Sequence, residues 1–155
     1  MEKEGIEIDF DKGKEARVWQ RVQSGLQQPD PDALRALIQE QLQNAAAYRH
    51  LAKSLPQKQF QILRQLAREA QSDADCLNGI CTIRTGTHTP QMTPPLQKEP
   101  AERMLRKCYG REMRCLAKYD ARTSDPEYGP VFAGLAARKK SHCMKLLELM
   151  GQAKT

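Results

Sequence analysis

The chain has 155 residues, of which 39% are apolar and 28% charged, and it carries a formal net charge of +6 at pH 7. That length is enough to bury one hydrophobic core and short for two, so we expect a single domain. No stretch approaches the roughly 18 uninterrupted apolar residues of a membrane-spanning helix, and the first residues are too acidic and mixed for a signal peptide. We therefore expect a cytoplasmic protein that does not insert into a membrane.

The basic charge raises the question of nucleic acid binding. Lysine and arginine are spread along every predicted helix, and only 5% of the residues are aromatic, which leaves few rings to stack on bases. A solvated basic surface is the simpler interpretation, and nucleic acid is not an expected partner.

Five cysteines occur in the chain, and none forms a CxxC pair. An odd number without metal-ligand spacing indicates neither a disulfide framework nor a zinc site, so we interpret the cysteines as small apolar packing residues. Cys76 and Cys143 each lie close in sequence to a candidate site residue on a different predicted helix. A redox pair between them stays open as an alternative.

Residues 1–31 form a predicted N-terminal segment. Its stretch EARVWQRVQ has an amphipathic pattern that predicts a short helix around Trp19. In the PDPD stretch that follows, Asp30 is a candidate N-cap, and Pro31 suits the first position of the next helix. The main domain is expected to span residues 32–151.

Four longer helical patterns follow, each with apolar residues at steps of three and four. They cover about residues 32–55, 56–84 and 101–122, and a fourth helix that begins after the SDPEYGP turn and ends at Gly151 as its C-terminal cap. No segment shows sustained alternation of apolar and polar residues, so strands are not expected. The pattern predicts an all-α fold.

The connections between these helices predict the topology. Short turns join the first helix to the second and the third to the fourth, so each pair is expected to form an antiparallel hairpin. Between the pairs lies TGTHTPQMTPPLQKEP, residues 85–100, which is rich in Pro and Thr. At roughly 3.1 Å per residue in a polyproline-like path, it can span more than the roughly 30 Å of a twenty-residue helix. One long central crossover of this kind is similar to that of ferritin-like four-helix bundles.

The apolar stripe of every predicted helix is interrupted by polar residues near its middle. One such residue is usually a hydrogen-bonded core group. Four interruptions at matching depth predict groups that contact each other, because an unpaired buried polar group costs about 1–3 kcal/mol. The expected buried polar network consists of Gln41, Tyr48, Asp73, Glu112, Tyr119, Lys139 and His142.

On these positions the chain resembles the rubrerythrin-like branch of the ferritin-like superfamily. The resemblance covers about residues 32–150 and is closest in QLQNAAAYRHLA, LAREAQSDADCL and DPEYGPVFAGLAARKKSHCMKLL. It implies a ferritin-like four-helix bundle with a di-iron site made of a Glu seven residues before a Tyr, an ExxH, a Glu and a second ExxH on the successive helices. Because such bundles often pair with a second chain, it also makes a homodimer a candidate oligomeric state.

The ligand set that the resemblance implies is only partly present. Two of its six positions, Glu112 and His142, keep the family's residue, so a normal di-iron centre is not expected. The six positions fall on Gln41, Ala70, Asp73, Glu112, Lys139 and His142, with Glu69 one residue out of phase.

Lys139 is the most informative departure from the family pattern. Its ammonium group can replace the charge of a metal and leave Asp73, Glu112 and His142 close to neutral, together with Gln41. It would also repel an incoming cation at about 4 Å by several kcal/mol at an effective dielectric constant of about 20. We therefore expect no cofactor and a degenerate ferritin-like bundle that acts as a structural or interaction module rather than an enzyme.

Two other functions stay open. If Lys139 turns aside, Asp73, Glu112 and His142 could hold a single Fe, Mn or Zn ion, as in a metal-dependent oxidoreductase or a peroxide scavenger with a remodelled site. The weakest alternative is a basic bundle that binds nucleic acid in the manner of ferritin-like DNA protectors.

Overall fold

The computed structural model describes residues 31–88, 90–92 and 95–153, and within these ranges the chain forms four α-helices and no strand. The all-α prediction is confirmed for this part of the chain. No helix in it is long and apolar enough to cross a membrane. The predicted N-terminal segment, with its short helix around Trp19 and the candidate cap Asp30, lies outside the described residues. The helices are α1 (Pro31–Ser54), α2 (Gln57–Thr85), α3 (Ala101–Asp120) and α4 (Gly129–Ala153).

Most helix ends lie within two residues of the predicted positions. Gly86 is the C-terminal cap that follows α2. It adopts a left-handed φ of 72° and donates its backbone N–H to the carbonyl of Thr82. The predicted end of the last helix at Gly151 is wrong, because α4 continues through it to Ala153. Gly151 does not adopt a positive φ, so it lacks the left-handed conformation by which a glycine ends a helix.

The predicted apolar stripes form the core, which is divided into two clusters. One cluster joins the C-terminal half of α1 and the N-terminal half of α2 to the start of α3 and the end of α4. The other joins the start of α1 and the end of α2 to the end of α3 and the start of α4. Each helix pair is thus an antiparallel hairpin. Because α2 ends and α3 begins at opposite ends of the bundle, residues 86–100 connect the two ends.

The turn between α3 and α4 is fixed to the end of α2. Asp125 accepts hydrogen bonds at 2.9 Å from two backbone N–H groups of the turn and forms an ion pair with Arg84 of α2. The Arg84 guanidinium also lies 4.7 Å from the centre of the Tyr128 ring. At Gly129, a Cβ atom would lie 2.5 Å from the carbonyl oxygen of Thr123, so this close approach requires glycine.

Candidate functional site

A layer of polar side chains separates the two apolar clusters at the middle of the bundle. All six of its members have a solvent exposure of 0%, and four of them carry acidic or basic groups that are costly to bury without partners. They come from all four helices, and we refer to them as the polar layer. The polar layer consists of Gln41, Asn44, Asp73, Glu112, Lys139 and His142.

The ammonium group of Lys139 lies at the centre of the polar layer. Its Nζ atom is 3.1 Å from Oδ2 of Asp73 and 3.1 Å from Oε2 of Glu112, and it donates a hydrogen bond to Oε1 of Gln41. Burial lowers the pKa of Lys139, but the charges of Glu112 and Asp73 outweigh that effect and raise the pKa above its usual value. The lysine is therefore held in its charged form between two carboxylates.

Glu112 is the acceptor that links the helices. Its Oε1 accepts hydrogen bonds from Asn44 Nδ2 at 2.6 Å and from the Tyr48 hydroxyl at 3.0 Å, and its Oε2 lies 3.1 Å from Nδ1 of His142. Burial raises the pKa of Glu112, yet the hydrogen bond from His142 and the charge of Lys139 bring it below the ordinary range. Burial and the neighbouring carboxylate raise the pKa of Tyr48 well above its usual value. Glu112 is thus an anion, and Tyr48 is a neutral donor.

His142 lies between two carboxylates. Its Nδ1 faces Glu112, and its Nε2 is 2.8 Å from Oε2 of Glu69 on α2. Because a carboxylate only accepts hydrogen bonds, each contact needs the facing ring nitrogen to donate, and a doubly protonated ring would satisfy both contacts at once. Burial raises the pKa of Glu69, but the hydrogen bond to His142 outweighs that effect and brings the pKa below its usual value. Glu69 is therefore also an anion.

Asp73 completes the charged part of the site. Its Oδ1 accepts a hydrogen bond of 2.7 Å from Nη1 of Arg138, while its Oδ2 has only the ionic contact with Lys139 among the described residues. Acidic and basic side chains therefore alternate without a break, three of each kind. We call this series the ion chain: Glu69, His142, Glu112, Lys139, Asp73 and Arg138.

The two ends of the ion chain reach the surface, although its middle does not. The Glu69 side chain is 27% exposed and the Arg138 side chain is 38% exposed, whereas the four groups between them are fully buried. Because the buried charges alternate in sign and each has a partner, they avoid the cost of an isolated buried charge. The two exposed ends keep part of their hydration.

Neutral groups of α1 and α3 surround the other side of the polar layer. The Gln41 amide donates a hydrogen bond of 3.1 Å to Sγ of Cys115, and the Cys115 thiol in turn donates to Glu40 at 3.0 Å. Burial and the Glu40 carboxylate raise the pKa of Cys115 to about 12, so it is a thiol and not a thiolate. Arg111 donates a hydrogen bond of 2.6 Å to Oδ1 of Asn44, which fixes the orientation of that amide.

The other cysteines are free, and they differ in burial. Their interpretation as packing residues is confirmed for Cys81, Cys108 and Cys143, which are buried, and is wrong for Cys76, which is exposed. Burial raises the pKa of Cys143 to about 11, and burial and Asp73 raise that of Cys76. Both groups are protonated at neutral pH, which disfavours reactive thiol chemistry at either residue.

The structure brings most of the predicted site residues together, but not all of them. Tyr119 is buried, yet its hydroxyl has no hydrogen-bond partner among the described residues, and its ring packs 6.3 Å from that of Phe132. Ala70 belongs to an apolar cluster. The other six members of the predicted network all contact the polar layer.

Sequence reasoning missed several of the participating residues. Asn44 lies three residues after Gln41 and four before Tyr48, so helical spacing alone could have placed it beside them. The sequence pattern places Glu69 one residue out of phase with the stripe, but the structure shows it hydrogen-bonded to His142. An offset of one residue turns a side chain by about 100° around a helix, and a long glutamate on the partly open side of α2 still reaches its partner.

The donors of the polar layer do not fit a di-iron centre. The Lys139 ammonium lies between the carboxylates of Asp73 and Glu112, Arg138 bonds the other oxygen of Asp73, and both nitrogens of His142 are engaged. In residues 31–88, 90–92 and 95–153, no group of three carboxylate, imidazole or thiol side chains has a geometry that could hold a metal ion. Comparisons with models of protein families, with curated proteins and with solved structures found no match for this chain.

Proposed function

We propose that this chain is a degenerate ferritin-like bundle of the rubrerythrin-like branch, in which an internal ion chain replaces the metal centre, and that it acts as a structural or interaction module rather than as an enzyme. The observation that carries the proposal is the position of Lys139. Its ammonium group lies 3.1 Å from each of two buried carboxylates, Asp73 and Glu112. A cation shared by those carboxylates would need the same space.

The balance of charge supports this proposal. A ferritin-like di-iron site with four carboxylates depends on metal cations for neutralisation. In the ion chain, three carboxylates already meet an ammonium, an imidazole and a guanidinium group. A metal ion would have to displace one of these cations and then overcome the repulsion of the others.

The topology supports the ferritin-like part of the proposal. Two antiparallel hairpins joined by a connection between opposite ends of the bundle are the arrangement expected for that fold. The sequence resemblance further leads us to propose a cytoplasmic protein and a homodimer. Light scattering of the purified chain measures its mass in solution and tests the homodimer.

The second candidate is a metal-dependent oxidoreductase or peroxide scavenger with one Fe, Mn or Zn ion held by Asp73, Glu112 and His142. In favour of this candidate, Oε2 of Glu112 lies 3.1 Å from Nδ1 of His142, and Asp73 contacts the same ammonium group as Glu112 does. This function requires Lys139 to leave the layer and Arg138 to release Asp73.

Metal analysis after anaerobic incubation with ferrous iron and desalting distinguishes the two candidates. We expect the natural chain to retain no stoichiometric iron. The variant Lys139→Glu, which restores a carboxylate at that position, is expected to retain iron, because it removes the competing cation and adds a ligand. Lys140→Glu makes the same change of charge at the adjacent exposed position and should behave as the natural chain does.

About one iron per natural chain, lost in Asp73→Asn, would contradict the proposal and support the mononuclear enzyme. Circular dichroism with and without iron shows whether Lys139→Glu folds. If that variant is folded and retains no more iron than Lys140→Glu, Lys139 is not what keeps the metal out, and the proposal fails.

A further inference from the structure

A groove between α1 and α2 on the outside of the bundle is lined by three arginines. It has a volume of about 380 Å³, which is within the range of about 300–1,000 Å³ for small-molecule sites. Arg49 comes from α1, and Arg64 and Arg68 come from successive turns of α2. The remaining lining residues are Ala67, Gln71, Ser72 and Asp75.

No acidic partner is found for these three arginines among the described residues, in contrast to four other arginines of the chain. Arg35, Arg84, Arg106 and Arg138 each form an ion pair with a carboxylate. Among the described residues, no carboxylate forms an ion pair with Arg49, Arg64 or Arg68. The one carboxylate in its lining, Asp75, already accepts hydrogen bonds from two glutamine amides.

The groove has an excess of positive charge, with three guanidinium groups and the one carboxylate of Asp75 in its lining. Arg64 and Arg68 are four residues apart on one helix, where like charges repel each other. The Arg64 guanidinium lies 5.4 Å from the centre of the Phe60 ring, in a cation–π contact that favours this position of the side chain. A bound anion would relieve the repulsion, and planar guanidinium groups suit the paired oxygens of a phosphate group.

We propose that the groove binds the phosphate group of a small phosphorylated metabolite. Arg49, Arg64 and Arg68 bind the phosphate oxygens, while the Ser72 hydroxyl offers a hydrogen-bond partner to the rest of the ligand. The Gln71 amide nitrogen already donates to Asp75 and Gln91, so Gln71 offers only its carbonyl oxygen. This site lies outside the polar layer and does not depend on the function proposed for that layer. None of the described lining residues is aromatic, so the groove offers no ring on which a nucleic acid base could stack.

An amide NMR titration of the full chain tests the proposal, with pyrophosphate, adenosine monophosphate and adenosine as probes. We expect saturable shifts around the groove with the first two probes and none with adenosine, which lacks the phosphate. Arg64→Gln and Arg68→Gln should each weaken the binding of adenosine monophosphate about tenfold, since each removes charge-assisted hydrogen bonds. Arg103→Gln removes the same charge from an exposed position of α3 and should leave the affinity unchanged.

Three results would overturn the proposal. The first is the absence of saturable shifts with either phosphate-bearing probe. The second is an equal loss of affinity in Arg103→Gln, which would indicate attraction by net charge alone. The third is that a single-stranded oligonucleotide binds far more tightly than adenosine monophosphate and that its affinity falls steeply with salt. This result would indicate a surface that binds nucleic acid. All these arginines are exposed, and circular dichroism checks that each variant is folded.

Discussion

The two sides of the polar layer bury polar groups in different ways. On the side of α1 and α3, which we call the neutral side, amide, phenol and thiol groups form hydrogen bonds around Glu112 and Gln41. On the side of α2 and α4, which we call the ionic side, charged groups alternate from Glu69 to Arg138. The neutral side contributes Glu112 itself and the groups that donate hydrogen bonds to it, whereas the ionic side supplies the other two carboxylates and the basic groups that face all three.

The difference shows where this bundle can accommodate charge. The ionic side reaches solvent at both ends of the ion chain, so its outer charges keep part of their hydration. The Asn44 and Tyr48 side chains of the neutral side are fully buried, and their hydrogen bonds to Glu112 add to the contact of that carboxylate with Lys139. We expect the loss of folding stability caused by a substitution to decrease from the middle of the ion chain toward its exposed ends.

The largest effect is expected at the centre of the layer. Lys139→Met leaves the buried carboxylates of Asp73 and Glu112 without their shared cation, and removal of one partner from a buried ion pair typically costs about 3–5 kcal/mol. Urea denaturation measures the free energy of unfolding. Lys140→Met, the same change at an exposed neighbour, should stay within about 0.5 kcal/mol of the natural chain. Equal losses in the two variants would show that the central ammonium does not stabilise the fold.

The pH dependence of stability separates the carboxylates from the lysine. The pKa values of Glu69 and Glu112 are lowered in the folded chain, so their contribution is complete above the unfolded value of about 4.3 and is lost as the pH falls through the lowered values. The pKa of Lys139 is raised, so its contribution is complete below about 10.4 and is lost as the pH rises through the raised value.

Urea midpoints across the pH range measure both parts of this dependence. We call the loss of stability at low pH the acid limb and the loss at high pH the alkaline limb. Glu69→Gln should flatten the acid limb only in part, because Glu112 keeps its lowered pKa through Lys139. An acid limb that is identical in the natural chain and in Glu69→Gln would show that Glu69 does not contribute. An alkaline limb that stays flat through the raised pKa would argue against the charged Lys139.

A matched pair of tyrosines tests the neutral side. Tyr48→Phe removes a hydrogen bond to a charged acceptor and should cost about 1.5–3 kcal/mol, because Glu112 loses a buried donor. Tyr119→Phe removes a buried hydroxyl that has no partner among the described residues, so it should be neutral or slightly stabilising. Thermal and urea unfolding of both variants measure the difference. If Tyr119→Phe costs as much as Tyr48→Phe, burial and not hydrogen bonding determines the loss.

Within the ion chain, the smallest loss of stability is expected at the exposed end formed by Arg138. Arg138→Gln removes one partner of Asp73, but Lys139 remains, and the arginine is partly solvated, so we expect a loss of about 1 kcal/mol. Arg106→Gln, which breaks the exposed pair with Glu102, is the reference and should cost less. A loss at Arg138 as large as that of Lys139→Met would contradict the expected gradient along the ion chain.

The sequence predicted the helices and their core-facing stripes because helical periodicity repeats many times along each element. Leu37, Leu63, Leu105 and Phe132 are buried on the predicted stripes. Gly86 ends α2 near its predicted position because a following Thr-Pro-rich stretch and a left-handed glycine both stop a helix. Gly151 carried the same signal but keeps a helical conformation.

The pairing within the site could not be predicted to the same extent. Periodicity places Lys139 and Glu112 at similar depth on inward-facing positions, but it does not determine which oxygen faces which nitrogen. Those contacts depend on side-chain length and on the relative height of the two hairpins. Arg138 and Glu69 lie beside the predicted stripes and reach the layer with long side chains, which an assignment by position alone does not capture.

The polar layer also determines how the two hairpins assemble. Its contacts join residues that are distant in sequence, such as Lys139 and Gln41, which are 98 positions apart. If one hairpin slid along the other by one helical turn, about 5.4 Å, the ammonium would enter an apolar cluster and leave its carboxylates unpaired. Apolar contacts alone would tolerate such a shift more easily. The ion chain therefore selects one alignment of the two hairpins among the several that their apolar surfaces would allow.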